Sequence, residues 1–231
     1  MVAIKNAVAL VTGGQRGLGK AIAEALLERG AAKVYVTARK PAPDADPRVH
    51  PVPLDVTDQD AVSALAETAR DVNIVVNNAG VLLPAPLLKA DMADVLATFD
   101  TNVFGALRVA RAFAPILAAN GGGALADLHS VLSWGAGAAA YGASKAALWS
   151  ITNSLRIELA PQGTQVVGVH LGFADTDMVA AITAPKVSPA EVAAAVLDGL
   201  ENGDSEVLVD DYTRRMKAAL AGPVEGLTVS I

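Results

Sequence analysis

A short run rich in β-branched residues, Val8–Thr12, leads into Thr12-Gly13-Gly14-Gln15-Arg16-Gly17-Leu18-Gly19, and an Ala/Leu-rich helical pattern runs on from Lys20 to Arg29. Strand, glycines and helix in that order leave few folds open. Glycine lets the backbone turn tightly and approach a pyrophosphate, while the free N–H groups and the dipole at a helix start favour the phosphate charge. Glycines spaced this way also make a plain strand-to-helix turn, so the rest of the chain has to decide between the two readings.

Lys33–Thr37, Val49–Val56, Ile74–Asn77, Leu125–Ser130, Gln165–His170 and Glu206–Val209 read as further strands, mostly with helix-length segments between them. They are largely apolar on both faces rather than alternating, as in a parallel sheet covered by helices on both sides. The expected fold is α/β: a doubly wound, Rossmann-type parallel sheet of about seven strands, formed by residues 1–231 as a single domain. Lys40–Arg48, with Pro41, Pro43 and Pro47, fits a surface loop rather than a linker.

Composition removes several classes of function. With 18 Lys+Arg against 24 Asp+Glu, the net charge of −6 disfavours a broad electrostatic grip on a nucleic-acid backbone or an anionic membrane. The absence of cysteine excludes disulfides, thiolate metal sites and a cysteine nucleophile. His50, His129 and His170 have no metal-ligand spacing, so no metal is expected. The 52% apolar content comes largely from alanine scattered among charges, and no uninterrupted apolar stretch reaches the ~20 residues of a membrane span. Met1–Leu10 runs directly into the glycine loop and reads as a first strand rather than a targeting segment, which makes a cytoplasmic location the expectation.

The residues just past the second strand should choose the nucleotide. Sites for NAD place Asp or Glu there to accept from the ribose 2′-OH, whereas a 2′-phosphate calls for cations. Here the strand runs out into Thr37-Ala38-Arg39-Lys40 with no acid, and Arg16 of the glycine loop can reach the same place. Arg39 and Arg16 therefore point to NADP(H), unless Arg39 and Lys40 are only a solvated loop face.

Further pieces complete a pattern: Asn77-Asn78-Ala79-Gly80, Asn102 within Asp100-Thr101-Asn102-Val103-Phe104-Gly105, and Tyr141-Gly142-Ala143-Ser144-Lys145. With the glycine loop, and a serine ahead of the tyrosine, this order resembles the short-chain dehydrogenases/reductases from about Ala7 to Val209. The resemblance implies a dinucleotide site made by Gly13, Gln15, Arg16, Gly17, Leu18, Gly19, Arg39, Asp55, Val56, Asn78, Ala79, Gly80, Tyr141, Lys145, Gly172, Phe173 and Thr176. It implies a catalytic set of Asn102, Ser130, Tyr141 and Lys145. Asp55-Val56, at the end of the third strand, match an adenine-contacting pair. Gly172–Thr176 resemble the loop that contacts the nicotinamide amide, with Leu171 where relatives carry proline. Asn102 matches an asparagine whose backbone carbonyl, at a helix distortion, holds a water near the lysine.

Residues four apart share a helix face, so the Tyr141/Lys145 spacing sets an ammonium near a phenol, and a nearby cation favours phenolate. Bringing a tyrosine from about 10 to near neutrality takes roughly 4 kcal/mol of preferential phenolate stabilisation. By resemblance Tyr141 is the general acid/base, and Lys145 also binds the nicotinamide ribose hydroxyls. Ser130 stands where the fifth strand should end, and its hydroxyl can donate to a carbonyl oxygen. Its spacing of eleven residues to Tyr141 is shorter than relatives usually show; Ser133, eight before Tyr141, reads as a turn hydroxyl. His129 reads as a hydrogen-bonded structural residue.

The expected activity is NADP(H)-dependent interconversion of a carbonyl, ketone or aldehyde, and an alcohol by hydride transfer, as in carbonyl reductases. Leu82, Trp134 and Met178, with Leu83 and Phe173, are expected to wall the substrate site beside Ser130, which implies an apolar or aromatic substrate; some of them serve equally well as core. A noncatalytic NADPH-binding, redox-sensing regulator on the same fold is the rival, and its mark would be loss of the tyrosine or lysine. The segments Asn102–Ala119 and Tyr141–Ala160 are too apolar for one-sided surface helices and predict a homodimer or homotetramer. Ala146, Ala147 and Ser150 would permit close helix approach there, and Trp149 would add buried area.

Overall fold

Residues 1–83 and 85–229 are described by the computed structural model. Seven strands, β1 Val8–Val11, β2 Lys33–Ala38, β3 Val49–Pro53, β4 Ile74–Asn77, β5 Ala124–Leu128, β6 Gln165–His170 and β7 Glu206–Leu208, form one sheet in the order β3-β2-β1-β4-β5-β6-β7. Every neighbouring pair is parallel; Ala9 of β1, for example, stands opposite Val34 of β2 and Ile74 of β4. Because strand side chains alternate, Ala9, Val11, Val34, Val36, Ile74, Val76, Ala126 and Val167 bury one face and Leu10, Val75, Leu125 and Val166 the other. Helices α1 (Gly17–Glu28) and α6 (Pro189–Asn202) cover the first face through Ile22, Leu26, Val192 and Val196. The second is covered by α2 (Gln59–Thr68), α4 (Ala106–Ala119) and α5 (Ala139–Leu159) through Val62, Phe113 and Leu155. This is the doubly wound architecture read from the sequence.

Local sequence explains the helix boundaries. Asp58 caps α2 by accepting from the N–H groups of Asp60 and Ala61, and Ser188 and Glu191 form a reciprocal capping box at α6. Gly203, at φ 79°, ends α6 in the left-handed conformation that a side chain resists.

Two strands end at least two residues short of the sequence reading. β3 stops at Pro53, so Asp55 and Val56 lie in the loop beyond it, and β5 stops at Leu128, two residues short of Ser130. At both places the chain leaves the ladder for a turn: Asp58 N–H donates to Asp55 O, and Ser133 N–H donates to Ser130 O. β3 is also largely uncovered, as an edge strand with Pro51 and Pro53 must be.

The helix expected from Asn102 begins earlier. A continuous helical run, Met92–Ala119, joins α3 (Met92–Phe99) to α4 through a π-helical turn, Asp100–Gly105. At 28 residues it is long and apolar enough to cross a membrane by length and composition, but Val109, Phe113 and Leu117 are buried against the sheet, which makes it a core helix. At the π turn the chain passes close to its neighbour: a Cβ on Gly105 would stand 2.6 Å from Val56 Cγ2. In the single chain one side of α5 is left uncovered. Ser144, Lys145, Leu148, Thr152, Leu155 and Leu159 are buried, while Ala143, Ser150, Ser154 and Ile157 are exposed. Its exposed residues are mostly small, which is why the sequence shows little contrast between the two sides.

β1 and β4 are neighbours whose connections leave in opposite directions, one toward β2 and β3, the other toward β5, β6 and β7. In such a sheet the crevice beyond the carboxyl ends of these strands is where ligands sit.

Candidate active site

The glycine loop occupies that crevice. Gly13 and Gly17 have φ of 64° and 51°, and Gly19 leaves no room for a side chain: a Cβ there would stand 2.3 Å from Gly13 O and 2.5 Å from Asn78 Nδ2. Arg16 is the N-cap of α1 in extended conformation, and no side chain caps the first helical turn. Its N–H groups thus face the crevice available to an anion. The loop is braced by its neighbours: Thr12 Oγ1 accepts from the N–H groups of Asn78 and Ala79 (both 3.0 Å), while Asn78 Nδ2 donates to Thr12 O (2.9 Å) and Gly13 O (3.2 Å). Asn78, read as a nucleotide contact, has its side-chain amide turned to holding the glycine loop.

At the other end of the crevice Arg39 is exposed just past β2 and faces Asp55, whose carboxyl is held below its ordinary range by the Thr57 hydroxyl and N–H, with Arg39 adding to the effect. Asp55 Oδ1 accepts from Thr57 N (3.0 Å) and Oγ1 (2.7 Å). Val56 is 6% exposed and packs on Gly105. The Gln15 side chain is occupied by Ala42, donating to its O (2.6 Å) and accepting from its N–H (2.8 Å). It clamps the proline-rich loop to the glycine loop, which leaves the backbone of Gln15 for a ligand. Arg16 is exposed beside them. The cradle without room for a Cβ and the open helix start fit a dinucleotide, with Arg16 and Arg39 exposed at the outer end of the crevice.

The catalytic candidates converge from three elements. Ser130 is 4% exposed and is the N-cap of a single 3-10 turn, Val131–Ser133, its Oγ accepting from Leu132 N–H at 3.1 Å. Tyr141 and Lys145 lie on the first turns of α5, with Lys145 Nζ 5.7 Å from the Tyr141 ring centroid. Burial pushes the Tyr141 phenol up to about 12, and the Ser130 hydroxyl beside it acts the other way. This corrects the expectation that the lysine lowers the phenol: Lys145 Nζ donates instead to Leu128 O at 2.6 Å, in the buried end of β5. Burial brings Lys145 itself down to about 8, opposed by Asp127.

Asn102 sits in the π turn, 1% exposed. Its Oδ1 accepts from Val81 N–H (2.8 Å), and its Nδ2 donates to Val81 O (2.9 Å) and Ser144 Oγ (3.0 Å). Ser144 Oγ in turn donates to Tyr141 O at 2.7 Å. The side chain thus ties the Asn77–Gly80 turn to the helix that carries Tyr141, a link between distant segments that local sequence does not announce.

On the loop after β6, Gly172 N–H donates to Asp210 Oδ2 (2.7 Å), the residue that caps α7 (Asp211–Ala219) through Thr213. Sequence reasoning missed Asp210, although Asp before a helical segment is a cap signal. Thr176 folds over the glycine loop: a Cβ on Gly17 would meet its Cγ2 at 3.4 Å. Phe173 is buried with Val131, Trp134 and Met216, and Met178 is 46% exposed, as is Leu83 at 38%; Leu82 is half-buried. Trp134 borders a cavity of about 340 Å³ lined also by Leu87, Leu132, Ser133, Gly142 and Ala146.

Behind Ser130 lies a buried stack. The Trp134 ring is 4.1 Å from His170, and His170 is 4.6 Å from His129, both pairs nearly parallel. His129 Nε2 meets Thr152 Oγ1 (3.1 Å), which lies 2.6 Å from Asp127 Oδ2. Burial lowers both imidazoles, His170 to about 3 and His129 well below its ordinary 6.5, and raises the Asp127 carboxyl. His129 is thus a packed structural residue, as read from the sequence.

A doubly wound sheet with a glycine cradle at its switch point defines a dinucleotide-binding α/β protein. A family model described as short chain dehydrogenase matches residues 7–186, and the chain belongs to that family of oxidoreductases. A short-chain dehydrogenase from Burkholderia cenocepacia, solved in complex with NADP, is 40% identical with a TM-score of 0.92, over 98% of this chain and 97% of that one. A short-chain dehydrogenase of Penicillium crustosum is 37% identical over 183 residues, 72% of this chain; the match spans 65% of that relative's length. An uncharacterized oxidoreductase of Staphylococcus aureus is 31% identical over 230 residues, covering 93% of this chain and 99% of the relative.

Proposed function

We propose that this chain is an NADP(H)-dependent oxidoreductase, in one domain, that interconverts a ketone or aldehyde and the corresponding alcohol. The observation that carries the reading is the convergence of Ser130, Tyr141 and Lys145 beside a glycine cradle whose outer end holds Arg39 and Arg16. A bound nicotinamide supplies the hydride, or accepts it in the reverse direction. Ser130 donates its hydroxyl proton in a hydrogen bond to the substrate carbonyl oxygen and stabilises the charge that develops there. Tyr141, protonated at neutral pH because its phenol titrates near 12, gives its proton to that oxygen. Lys145, brought to about 8, holds the ribose hydroxyls and returns a proton to the phenol, which requires it to leave Leu128 O. Asn102 keeps the first turn of α5 in place, and its backbone carbonyl continues the proton path.

Trp134 and the apolar lining of the neighbouring cavity favour an apolar or aromatic substrate. The exposed Phe104 of the Met92–Ala119 run and Ile157 of α5, at 49% and 77%, support association of these two helices with a second copy as a homodimer or homotetramer, for which light scattering is the test. A cytoplasmic location belongs to the same reading. The test of function is NADPH consumption over a panel of aldehydes, ketones and quinones, with NADPH binding measured in parallel. Turnover of any of them supports the oxidoreductase. Tight binding without turnover favours the noncatalytic redox-sensing regulator, although Tyr141 and Lys145 are both in place.

A further inference from the structure

The loop that joins Ser130 to Tyr141 is held by the last described residues of the chain. Ala136 N–H donates to Leu227 O (2.8 Å) and Val229 N–H donates to Ala136 O (2.9 Å), pairing Ala136 with Thr228 in a parallel bridge. The Val229 side chain is 5% exposed and packs with Val131, Leu132, Trp134, Phe173 and Met216. The fit is tight. A Cβ on Gly135 would stand 2.3 Å from Val229 Cγ2, and one on Gly137, at φ 134°, would stand 3.0 Å from Val229 O. α7, which leads into this segment, adds Lys217, its Nζ 5.7 Å from the centre of the Trp134 ring.

The connection itself is poor in restraints of its own. Gly135-Ala136-Gly137-Ala138 has no side chain larger than a methyl, and glycine carries the largest conformational entropy to be lost on ordering. Ala139, which opens α5 two residues before Tyr141, is held at φ 49°, a conformation that an alanine adopts only when its surroundings impose it.

We propose that Val229 is a positioning residue: the segment Leu227–Val229 straps the Ala136 loop and so fixes the approach of Tyr141 to Ser130 around a bound carbonyl. The inference rests on the carbonyl-reducing function proposed for this site. Most of the nucleotide site, the glycine cradle and Arg39, is built from β1, β2 and β4 away from the strap, so nucleotide affinity is expected to change far less than carbonyl turnover, through Lys145 and Phe173 alone. A displacement of about 1 Å among reacting groups is enough to cost on the order of 100-fold in rate.

Gly135→Ala pushes a methyl against Val229, and Val229→Ala removes the atom it strikes. The single variant Gly135→Ala is expected to lose about 10- to 100-fold in kcat/KM for the carbonyl, with the NADPH dissociation constant changed much less, by no more than about fivefold. In the double variant Gly135→Ala/Val229→Ala the clash is gone, and activity should return to within about threefold of Val229→Ala alone. A structural defect of general kind would instead move NADPH affinity and melting temperature together with turnover. Unchanged turnover in Gly135→Ala, or a double variant no better than Gly135→Ala, overturns the proposal. Hydrogen exchange at Ala136 N–H reads the strap without turnover: protection is expected in the wild type and its loss in Val229→Ala. Fast exchange in an active wild type sinks the strap alone, whereas a protected Ala136 in a protein that binds NADPH and reduces no carbonyl sinks the functional reading and the strap's catalytic consequence with it.

Discussion

Replacing Asn102 by Ala separates the two ways in which this residue can serve the site. Alanine keeps the backbone carbonyl, through which the family resemblance assigns a water, and deletes only the amide that bonds Val81 N–H, Val81 O and Ser144 Oγ. A net hydrogen bond contributes about 0.5–1.5 kcal/mol, and a buried donor left without a partner costs about 1–3, so the loss should be about 2–4 kcal/mol. For a chain of this size that is a fall of about 5–15 °C in melting temperature. Turnover should fall with it, because Ser144, released by Asn102, also holds Tyr141 O. Asn102→Asp sharpens the test: it keeps the acceptor for Val81 N–H but turns a second carboxylate oxygen toward Val81 O. It should be worse than alanine at neutral pH and should recover relative to alanine on acidification, when the carboxyl can donate again. Thermal denaturation and steady-state kinetics from pH 5 to 8 read both. An alanine variant that melts within about 1 °C of wild type and retains full kcat/KM would refute this reasoning.

Tyr141→Phe should lower turnover by about 10²–10⁴-fold with NADPH affinity little changed, while Lys145→Ala damages both; kinetics beside fluorescence titration of NADPH decide, and a phenylalanine variant with more than about a tenth of the wild-type rate would require another proton donor. Arg39→Ala should weaken NADPH binding about ten- to hundredfold, the worth of a hydrogen bond to a charged group at about 1.5–3 kcal/mol, and leave NADH binding unaltered. Equal weakening of both nucleotides would remove the 2′-phosphate assignment. Acid should destabilise the fold well above the carboxylate range. His129 and His170 are neutral when folded and titrate near 6.5 when unfolded, so the unfolded chain binds the extra protons and stability falls as pH drops from about 6.5 toward the folded value, about 3 for His170. At pH 5 His170 costs about 2 kcal/mol and His129 acts in the same direction, offset in part by the raised Asp127 carboxyl, and urea midpoints that stay constant from pH 7.5 to 5 would contradict this.

The architecture was legible in the sequence because its signals are local. Runs of Val, Ile and Leu with glycines at their ends set the strands, and the Tyr141/Lys145 spacing placed both residues on one helix. What could not be read are contacts between residues far apart in the chain. The clamp of Gln15 on Ala42, the bond of Gly172 to Asp210 and the bracing of Val81 by Asn102 each depend on where the fold brings the partner. Lys145 shows the same limit in electrostatic form. Helical spacing brought its ammonium near the phenol, but its hydrogen bond goes to the Leu128 carbonyl at the end of β5, and burial raises the tyrosine. The end of β3 was overrun because apolar residues continue past it at Leu54 and Val56, where they pack the core from a loop, and that of β5 because backbone bonds to the β6 side continue past Leu128, from His129 N–H to Val169 O and from Val131 N–H to Leu171 O.

The two prolines of β3 govern what can add to this edge of the sheet. Leu54 N–H donates to Ala38 O, so by strand alternation the even-numbered residues of β3 turn their N–H groups inward to β2 and Val49, Pro51 and Pro53 face outward. Val49 N–H is taken by Asp46 O, and proline has none to offer. A foreign strand arriving at this edge finds acceptors without donors and cannot extend the ladder. Growth of the sheet by strand addition is thereby denied at this end.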